Sequence, residues 1–394
     1  MLVLVSDVHL TDSLRGATVP RADTFERFWV RIRASRGQRP AILCFVGDLF
    51  DVVRSARWFD TAYRPYHEPD RHVVAVVDSI VDTILERERD FFGAIRSRVA
   101  AGELEVRYVL GNHDRLLRDA PAARRRLWQA LTGEDREVHF EDEAVFPDHG
   151  VLAFHGHASD AVNASPDGAA TIGDAIGTEL ITRFPHAVRI LVDESHPELD
   201  DIDDVRPVYA VPAWVRQLGV LRPELIRPVN DTWCQLVETF LSKPFVQQWT
   251  RSQRRGFAFD AGKRLRLLLE LSTRRIVARG SDRRLTDLYK LLQHGFDGKM
   301  AAFAAQRLGE RRGLRFVVNG HSHFANMVPL GNVGGRPAVY FNTGTWRSVH
   351  QLGHGVGGRP TFLAYDAMSY LVFFPSGDRL GRDFEWWNGA LVAR

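Results

Sequence analysis

The sequence predicts an α/β core interrupted by a helical insert, and three observations carry that prediction. Short apolar runs alternate with helix-like stretches over the first 158 residues, five polar clusters each follow the end of such a run, and residues 159–313 show no such cluster and little strand signal. Taken in order, Leu2 to Val5, Ile42 to Val46, Val106 to Leu110, Val151 to Phe154 and Arg315 to Val318 are brief runs of mainly Val, Ile, Leu and Phe that stop at Gly or a polar residue. That pattern marks a buried strand rather than a helix. Phe25 to Ile32 and Val73 to Val99 carry helical apolar spacing between the first three runs, as βαβ units require. A sixth run, Ala338 to Phe341, leads into Asn342-Thr343-Gly344-Thr345, expected beside the clusters, and Phe362 to Tyr365 and Leu371 to Phe374 complete the strands. The core is expected over 1–158 and 314–394.

The five clusters are Ser6-Asp7-Val8-His9, Gly47-Asp48, Gly111-Asn112-His113-Asp114, His155-Gly156-His157 and Gly320-His321-Ser322-His323. In open α/β sheets, sites form where loops converge beyond the strands' carboxyl ends. Carboxylate, amide and imidazole are hard to borderline ligands suited to Mn²⁺, Fe, Zn²⁺ or Mg²⁺. The i, i+2 spacing of Asp7 and His9 puts both side chains on one side of an extended backbone, able to chelate one ion. His321 and His323 repeat that spacing and could serve one ion each. Asp48 has two oxygens and could bridge two ions about 3.5–4 Å apart.

With 394 residues, 45% of them hydrophobic, the chain can bury a sizeable core, and its formal charge is only +3. Of 52 basic residues only Lys243, Lys263, Lys290 and Lys299 are lysines. Cys44 and Cys234 imply neither a disulfide framework nor a cysteine-held metal, and Cys44 reads as a small hydrophobe in a strand. The chain opens directly on its first strand and has no run of about 18 apolar residues, so a cytoplasmic location without a transmembrane segment is expected. Within the insert, Asp193, Glu194, Glu198, Asp200, Asp201, Asp203 and Asp204 form an acidic stretch, while Lys243 to Arg312 holds 17 Lys and Arg against 6 Asp and Glu. The basic part is expected mainly as a solvated face, with phosphate-bearing ligands, nucleic acid and peripheral membrane contact as the functional alternatives. Trp233 to Leu241 and Leu265 to Ile276 are its clearest helices, and Trp233, Phe240, Phe245 and Trp249 are expected in the insert's own core. His350 and His354 are expected in solvent, and Asp51 as a capping or ligand-supporting carboxylate.

The five clusters in this order resemble the calcineurin-like metallophosphoesterase superfamily, whose blocks are DxH, GD, GNH[DE], a further His and GHxH. The resemblance implies a four-layer αββα metallophosphoesterase sandwich with residues 159–313 as a mainly helical cap. It also implies two divalent metal ions, Mn²⁺ first. Asp7, His9, Asp48 and His323 would hold one ion, and Asp48, Asn112, His155 and His321 the other. His113 would be the catalytic acid facing the phosphate, oriented by Asp114. Arg124, His157 and Arg347 are candidate substrate contacts. The implied reaction is hydrolysis of a phosphodiester or pyrophosphate bond of a small-molecule or nucleotide-like substrate by metal-activated water. Ser6 to Leu10 and Gly47 to Asp51 look most like the UDP-2,3-diacylglucosamine pyrophosphatase branch, which has Arg where His113 stands and His-Gly-Asp where His155-Gly156-His157 stands. SbcD-like DNA nucleases share the GDLFD and GNHD blocks, so a nuclease is the second reading. A non-catalytic interaction module on the same fold is the third, and the oligomeric state stays open.

Overall fold

A computed structural model of the chain describes residues 1–13, 19, 21–165, 168–192, 196–253, 261–277, 283–354, 360–375 and 381–393. Asp193 and Glu194 lie outside the described residues, as do the side chains of Lys290 and His354.

The first part of the chain runs β1 (Leu2–Val5), α1 (Ala22–Ser35), β2 (Ala41–Val46), α2 (Arg71–Arg87), α3 (Arg89–Ala100), β3 (Leu104–Val109) and α4 (Pro121–Thr132). A hairpin of β4 (Glu143–Phe146) and β5 (Val151–Phe154) follows. The middle holds α5 (Ile172–Ile176), a π turn over Gly177–Thr182, α6 (Arg183–Leu191), β6 (Val205–Arg206), α7 (Val211–Leu221), α8 (Ile226–Ser242), α9 (Pro244–Ser252), α10 (Ala261–Val277) and α11 (Arg283–Gly309). The chain closes with β7 (Phe316–Asn319), β8 (Asn326–Val333), β9 (Arg336–Asn342), β10 (Ser348–His354), β11 (Pro360–Phe373) and β12 (Phe384–Ala393).

These strands make an α/β protein with two mixed sheets, one ordered β3-β2-β1-β11-β10-β6 with β12 on β11, the other β4-β5-β7-β9-β8. Two parallel trios matter most: β1, β2 and β3 in one sheet, and β5, β7 and β9 in the other. Side chains alternate across each strand, and that alternation packs the sheets. Leu2, Leu4, Cys44 and Val46 meet Phe316, Val318 and Phe341 between the sheets. Their neighbours Val3, Val5, Leu43 and Phe45 meet Phe25, Phe28, Ile80 and Phe92 of the helices. Full burial of each large side chain contributes about 1.5–3 kcal/mol, so this alternation fixes the register and with it where each strand ends.

The expected helix Val73 to Val99 is two helices. Its apolar stripe Val73, Val77, Ile80, Val81, Ile84 would next bury positions 87 and 88, but these are Arg87 and Glu88, and the backbone leaves helical geometry at Glu88 (φ −98°, ψ 22°). The expected strands Phe362 to Tyr365 and Leu371 to Phe374 are one strand, β11, with an irregularity at Asp366/Ala367.

Residues 172–252 largely bury one another, with Phe184, Trp233 and Phe240 at the centre and Phe245 and Trp249 packed against them. Strand pairing and helix packing both tie the stretch 159–313 to the sheets. β6 pairs in parallel with His350 and Gln351 of β10, a contact two residues long that leaves no periodic signature. The end of α11 places Met300, Ala304 and Leu308 on Leu152, Phe154 and Val317, the second sheet's outer face. Among the described residues no helix is long and apolar enough to cross a membrane.

Candidate metal centre

The clusters lie together because the strands before them are parallel. β1, β2, β3, β5 and β7 each end one or two residues before its cluster, and the turns beyond meet at one edge of the two packed sheets. The turns are tight. Among the described residues, the non-glycine residues with positive φ are Asp7 (52°), His9 (51°), Asp48 (54°), His321 (73°) and His323 (62°). All five are candidate ligands. Such backbone conformations cost about 1–3 kcal/mol each, and they gather at functional sites. Gly111 is required by proximity, since a Cβ there would collide with Asp48 Oδ1. At Gly47 (φ 82°) a Cβ would collide with the His155 ring.

The side chains form two groups that meet at Asp48. In the first, His323 Nε2 lies 3.1 Å from His9 Nε2 and 3.3 Å from Asp7 Oδ1. Asp48 Oδ2 stands 3.6 Å from His9 Nε2. In the second, the same Asp48 oxygen is 3.0 Å from His155 Nε2, which is 3.1 Å from Asn112 Oδ1. His321 completes this group, with one candidate donor atom each from Asp48, His155 and His321 within 4.8 Å of one another. Asp7, His9, Asp48, His155 and Asn112 are buried.

The outward-facing ring nitrogens show whether this donor set fits a cation. His9 Nδ1 meets Asp51 Oδ2 at 3.0 Å, His155 Nδ1 meets Val46 O at 2.9 Å, and His321 Nε2 meets Asp160 Oδ2 at 3.2 Å. Asp51, Val46 and Asp160 offer acceptors that can take each ring's N–H and leave the other nitrogen's lone pair facing the cluster, although His9 Nδ1 also has Arg54 Nη2 at 3.0 Å. In the second group His155 Nε2, Asp48 Oδ2 and Asn112 Oδ1 converge, a set that either a second ring proton on Nε2 or a metal ion in its place reconciles. Burial disfavours charge on His155, yet the Asp48 carboxylate outweighs it and lifts the ring to about 10. Buried His and Asp groups that could hold a metal ion are thus present, and the donor set fits one.

His113 sits beside this centre, its ring 4.8 Å from His9 and edge-on to it. Its orienter differs from the expected one. Asp51 Oδ1 lies 2.8 Å from His113 Nδ1, whereas Asp114 takes Gly111 N, Leu49 N and the Tyr108 hydroxyl at 2.6, 3.1 and 2.7 Å. Asp114 therefore holds the Gly47 and Gly111 turns together and makes no hydrogen bond to the His113 ring. Burial, then the Asp48 charge, push the Asp114 carboxyl up to about 7. Burial works against a charged His113, but Asp51 and Asp48 prevail and raise its pKa above the ordinary value.

Two of the three expected substrate contacts are occupied elsewhere. Arg124 is buried on α4 and donates to the carbonyls of Val138 (2.9 Å), Leu117 (2.7 Å) and Arg118. Helix geometry turns it inward, away from the clusters. Arg347 is fully buried, its Nε and Nη2 on Asp204 at 2.9 and 2.6 Å and Nη2 on Asp203 at 2.7 Å. It anchors the acidic end of the insert to the turn after β9. His157 lies beside the second group, 5.6 Å from the His155 ring and 6.4 Å from His321. Burial and those two rings pull it down to about 3, so it is neutral. His350 is not in solvent; its side chain is largely covered and lies 3.6 Å from Asp201. Asn342 to Thr345 do pack beside the ligands: Thr345 Oγ1 donates to Asp7 O at 2.6 Å, and Thr343 meets Ser6.

Arg54, Asp160 and Arg206 have no counterpart in the sequence reading. Arg54 Nε donates to Asp51 Oδ2 at 2.6 Å and its Nη1 to Asp203. Arg206 Nη2 donates to His323 Nδ1 at 2.8 Å. Asp160 is the first acid after the fourth cluster, and Arg54 lies three residues after Asp51, both usable clues; Arg206 is placed by the insert's packing, which no local pattern encodes.

The chain matches no family model and no curated protein.

Removing one partner of a buried ion pair strands the other's charge, at about 3–5 kcal/mol. Arg347→Ala is therefore expected to lower unfolding stability by roughly that amount, measured by urea denaturation, whereas Arg125→Ala, whose Asp135 pair is exposed, should change it by about 1 kcal/mol or less.

Proposed function

We propose that the chain is a two-metal phosphoester hydrolase with the four-layer αββα sandwich of the calcineurin-like metallophosphoesterases, capped by residues 159–313. The observation that supports it is the pair of donor groups meeting at one buried carboxylate. Asp48 Oδ2 faces His9 on one side and His155 on the other, the arrangement a bridging ligand needs. Asp7, His9, Asp48 and His323 would hold one divalent ion, and Asp48, Asn112, His155 and His321 the other, with Mn²⁺ the first choice. Two such ions supply positive charge to phosphoryl oxygens and make water nucleophilic near neutral pH.

The chain's own residues do the rest. His113 uses Nδ1 on Asp51, which leaves Nε2 to donate a proton to the leaving oxygen. Asp51 holds that proton on the ring electrostatically and fixes His9 through its second oxygen. The segment 159–313 reaches the donors directly, through Asp160 on His321 and Arg206 on His323. Contacts this close favour a restricted opening, and so a phosphodiester or pyrophosphate bond in a small or nucleotide-like substrate over a polynucleotide.

The test is Mn²⁺-stimulated release of p-nitrophenol from bis-p-nitrophenyl phosphate. Asp48→Ala removes a ligand from both ions and is expected to lower the rate by about a thousandfold or more, several kcal/mol of charge stabilisation; full activity in that variant would rule the mechanism out. His113→Ala should lose about 10²–10⁴-fold, the usual worth of a positioned acid.

The acid must be protonated to act, and its pKa is raised by Asp51 and Asp48 against burial. The pH profile of kcat/KM should therefore fall on the alkaline side, with a limb above 6.5, the ordinary histidine value. Asp51→Asn should move that limb to lower pH, and a limb unmoved by it would remove Asp51 from the role.

A further inference from the structure

Arg206 stands apart from the other charged groups around the centre. It is buried, yet among the described residues no carboxylate pairs with it. The neighbouring acids are engaged elsewhere, Asp203 with Arg54 and Arg347, and Asp204 with Arg347. Its Nη1 donates to the main-chain carbonyls of Asp203 and Val205, each at 2.9 Å. Those bonds hold the guanidinium so that Nη2 reaches His323 Nδ1 at 2.8 Å, at the edge of the first donor group. Pairing of β6 with β10 fixes the backbone beneath it. Asp203 and Asp204 attract it without pairing with it, and a buried cation held only by carbonyls and a ring nitrogen is costly.

A second observation comes from the ring it touches. The outer nitrogens of His9, His155 and His321 each have an acceptor, His9 Nδ1 having Arg54 Nη2 beside it as well, whereas His323 Nδ1 has the donor Arg206 and, among the described residues, no acceptor. Arg206 needs a lone pair on that nitrogen, which puts the ring proton on Nε2, the atom 3.3 Å from Asp7 and 3.1 Å from His9. If a cation takes Nε2 of the neutral ring, the N–H moves to Nδ1, and two donors then face each other. Arg206 must release the ring. The carboxylates near its freed Nη2, Asp203 and Asp204, are paired with Arg54 and Arg347, and a guanidinium is suited to phosphate by geometry and charge.

We propose that Arg206 is the anion-binding arm of the metal centre, passing from His323 to a phosphoryl oxygen when a divalent ion is bound. The proposal rests on the phosphoester reading above and names a substrate contact carried by the insert. Metal and phosphate binding are then coupled through one side chain, each favouring the other.

Calorimetric titration of inorganic phosphate into the full-length, Mn²⁺-reloaded protein tests it, with Mn²⁺ content measured in parallel. Arg206→Met keeps most of the side-chain volume and removes the donors. It is expected to retain wild-type Mn²⁺ content, since it frees His323 Nδ1, and to bind phosphate about ten- to a hundredfold more weakly, the worth of a charge-assisted hydrogen bond. Arg206→Lys, which keeps the charge, should recover part of that loss. Equal phosphate affinity in Mn²⁺-loaded wild type and Arg206→Met, or no phosphate binding by Mn²⁺-loaded wild type, overturns the proposal and leaves the metal centre standing. Loss of Mn²⁺ from Arg206→Met also overturns it, because Arg206 would then support the ligands instead of competing with the ion. Wild-type protein that takes up no Mn²⁺ overturns the metal-site reading, and the proposal with it.

Discussion

One buried carboxylate oxygen lies within 3.0 Å of His155 and 3.6 Å of His9. Asp48 Oδ2 is an acceptor, and on the His155 side the surrounding atoms are acceptors too once the ring proton is given to Val46 O. Such a convergence needs positive charge at its centre, supplied by a second proton on His155 or by a metal ion in its place. The rest of the site serves that convergence: two sheets with their parallel strands ending at one edge, left-handed backbone at five candidate-ligand positions, and glycines where a Cβ would strike Asp48 or His155. The strain is carried by the alternating apolar contacts between the sheets, which fix where each strand stops.

A second layer of residues determines what the first can bind. Asp51 holds His9 and His113 at once, joining a candidate ligand to the candidate acid. Arg54 then ties Asp51 to Asp203, and Arg347 ties Asp203 and Asp204 to the turn after β9. The insert is thereby attached to the centre by charge pairs rather than by apolar packing alone. Its own core, around Trp233 and Phe240, is largely separate from that of the sheets. Access to the centre and the state of its ligands are consequently linked through a few side chains at residues 203–206.

Much of this was legible in the sequence. The strands that bear the clusters are short apolar runs with sharp polar ends, and tertiary packing agrees with that local pattern at Leu2–Val5 and Val151–Phe154 without a shift of residue. β4, β6, β8, β10 and β12 were not legible. Several are edge or half-exposed strands whose alternation is weak, as at Asn326–Val333, and β6 is two residues long. Among site residues, those within a cluster could be picked by chemistry and spacing. The resemblance makes Asp114 the orienter of His113, whereas the turn directs its oxygens to backbone N–H groups and the Tyr108 hydroxyl. Arg124 and Arg347 are arginines near the clusters in sequence whose guanidinium groups are consumed by carbonyls and carboxylates. Arg206 lies well over a hundred residues from His323, and only the folded insert brings the two together.

Whether Asp48 lies between two metal ions can be read by anomalous scattering from crystals of the protein grown with Mn²⁺. Two peaks about 3.5–4 Å apart are expected, one beside His9 and His323 and the other beside His155 and His321, with the Asp48 carboxylate between them. Crystals that show no anomalous peak within reach of Asp48 at saturating Mn²⁺ would contradict that arrangement.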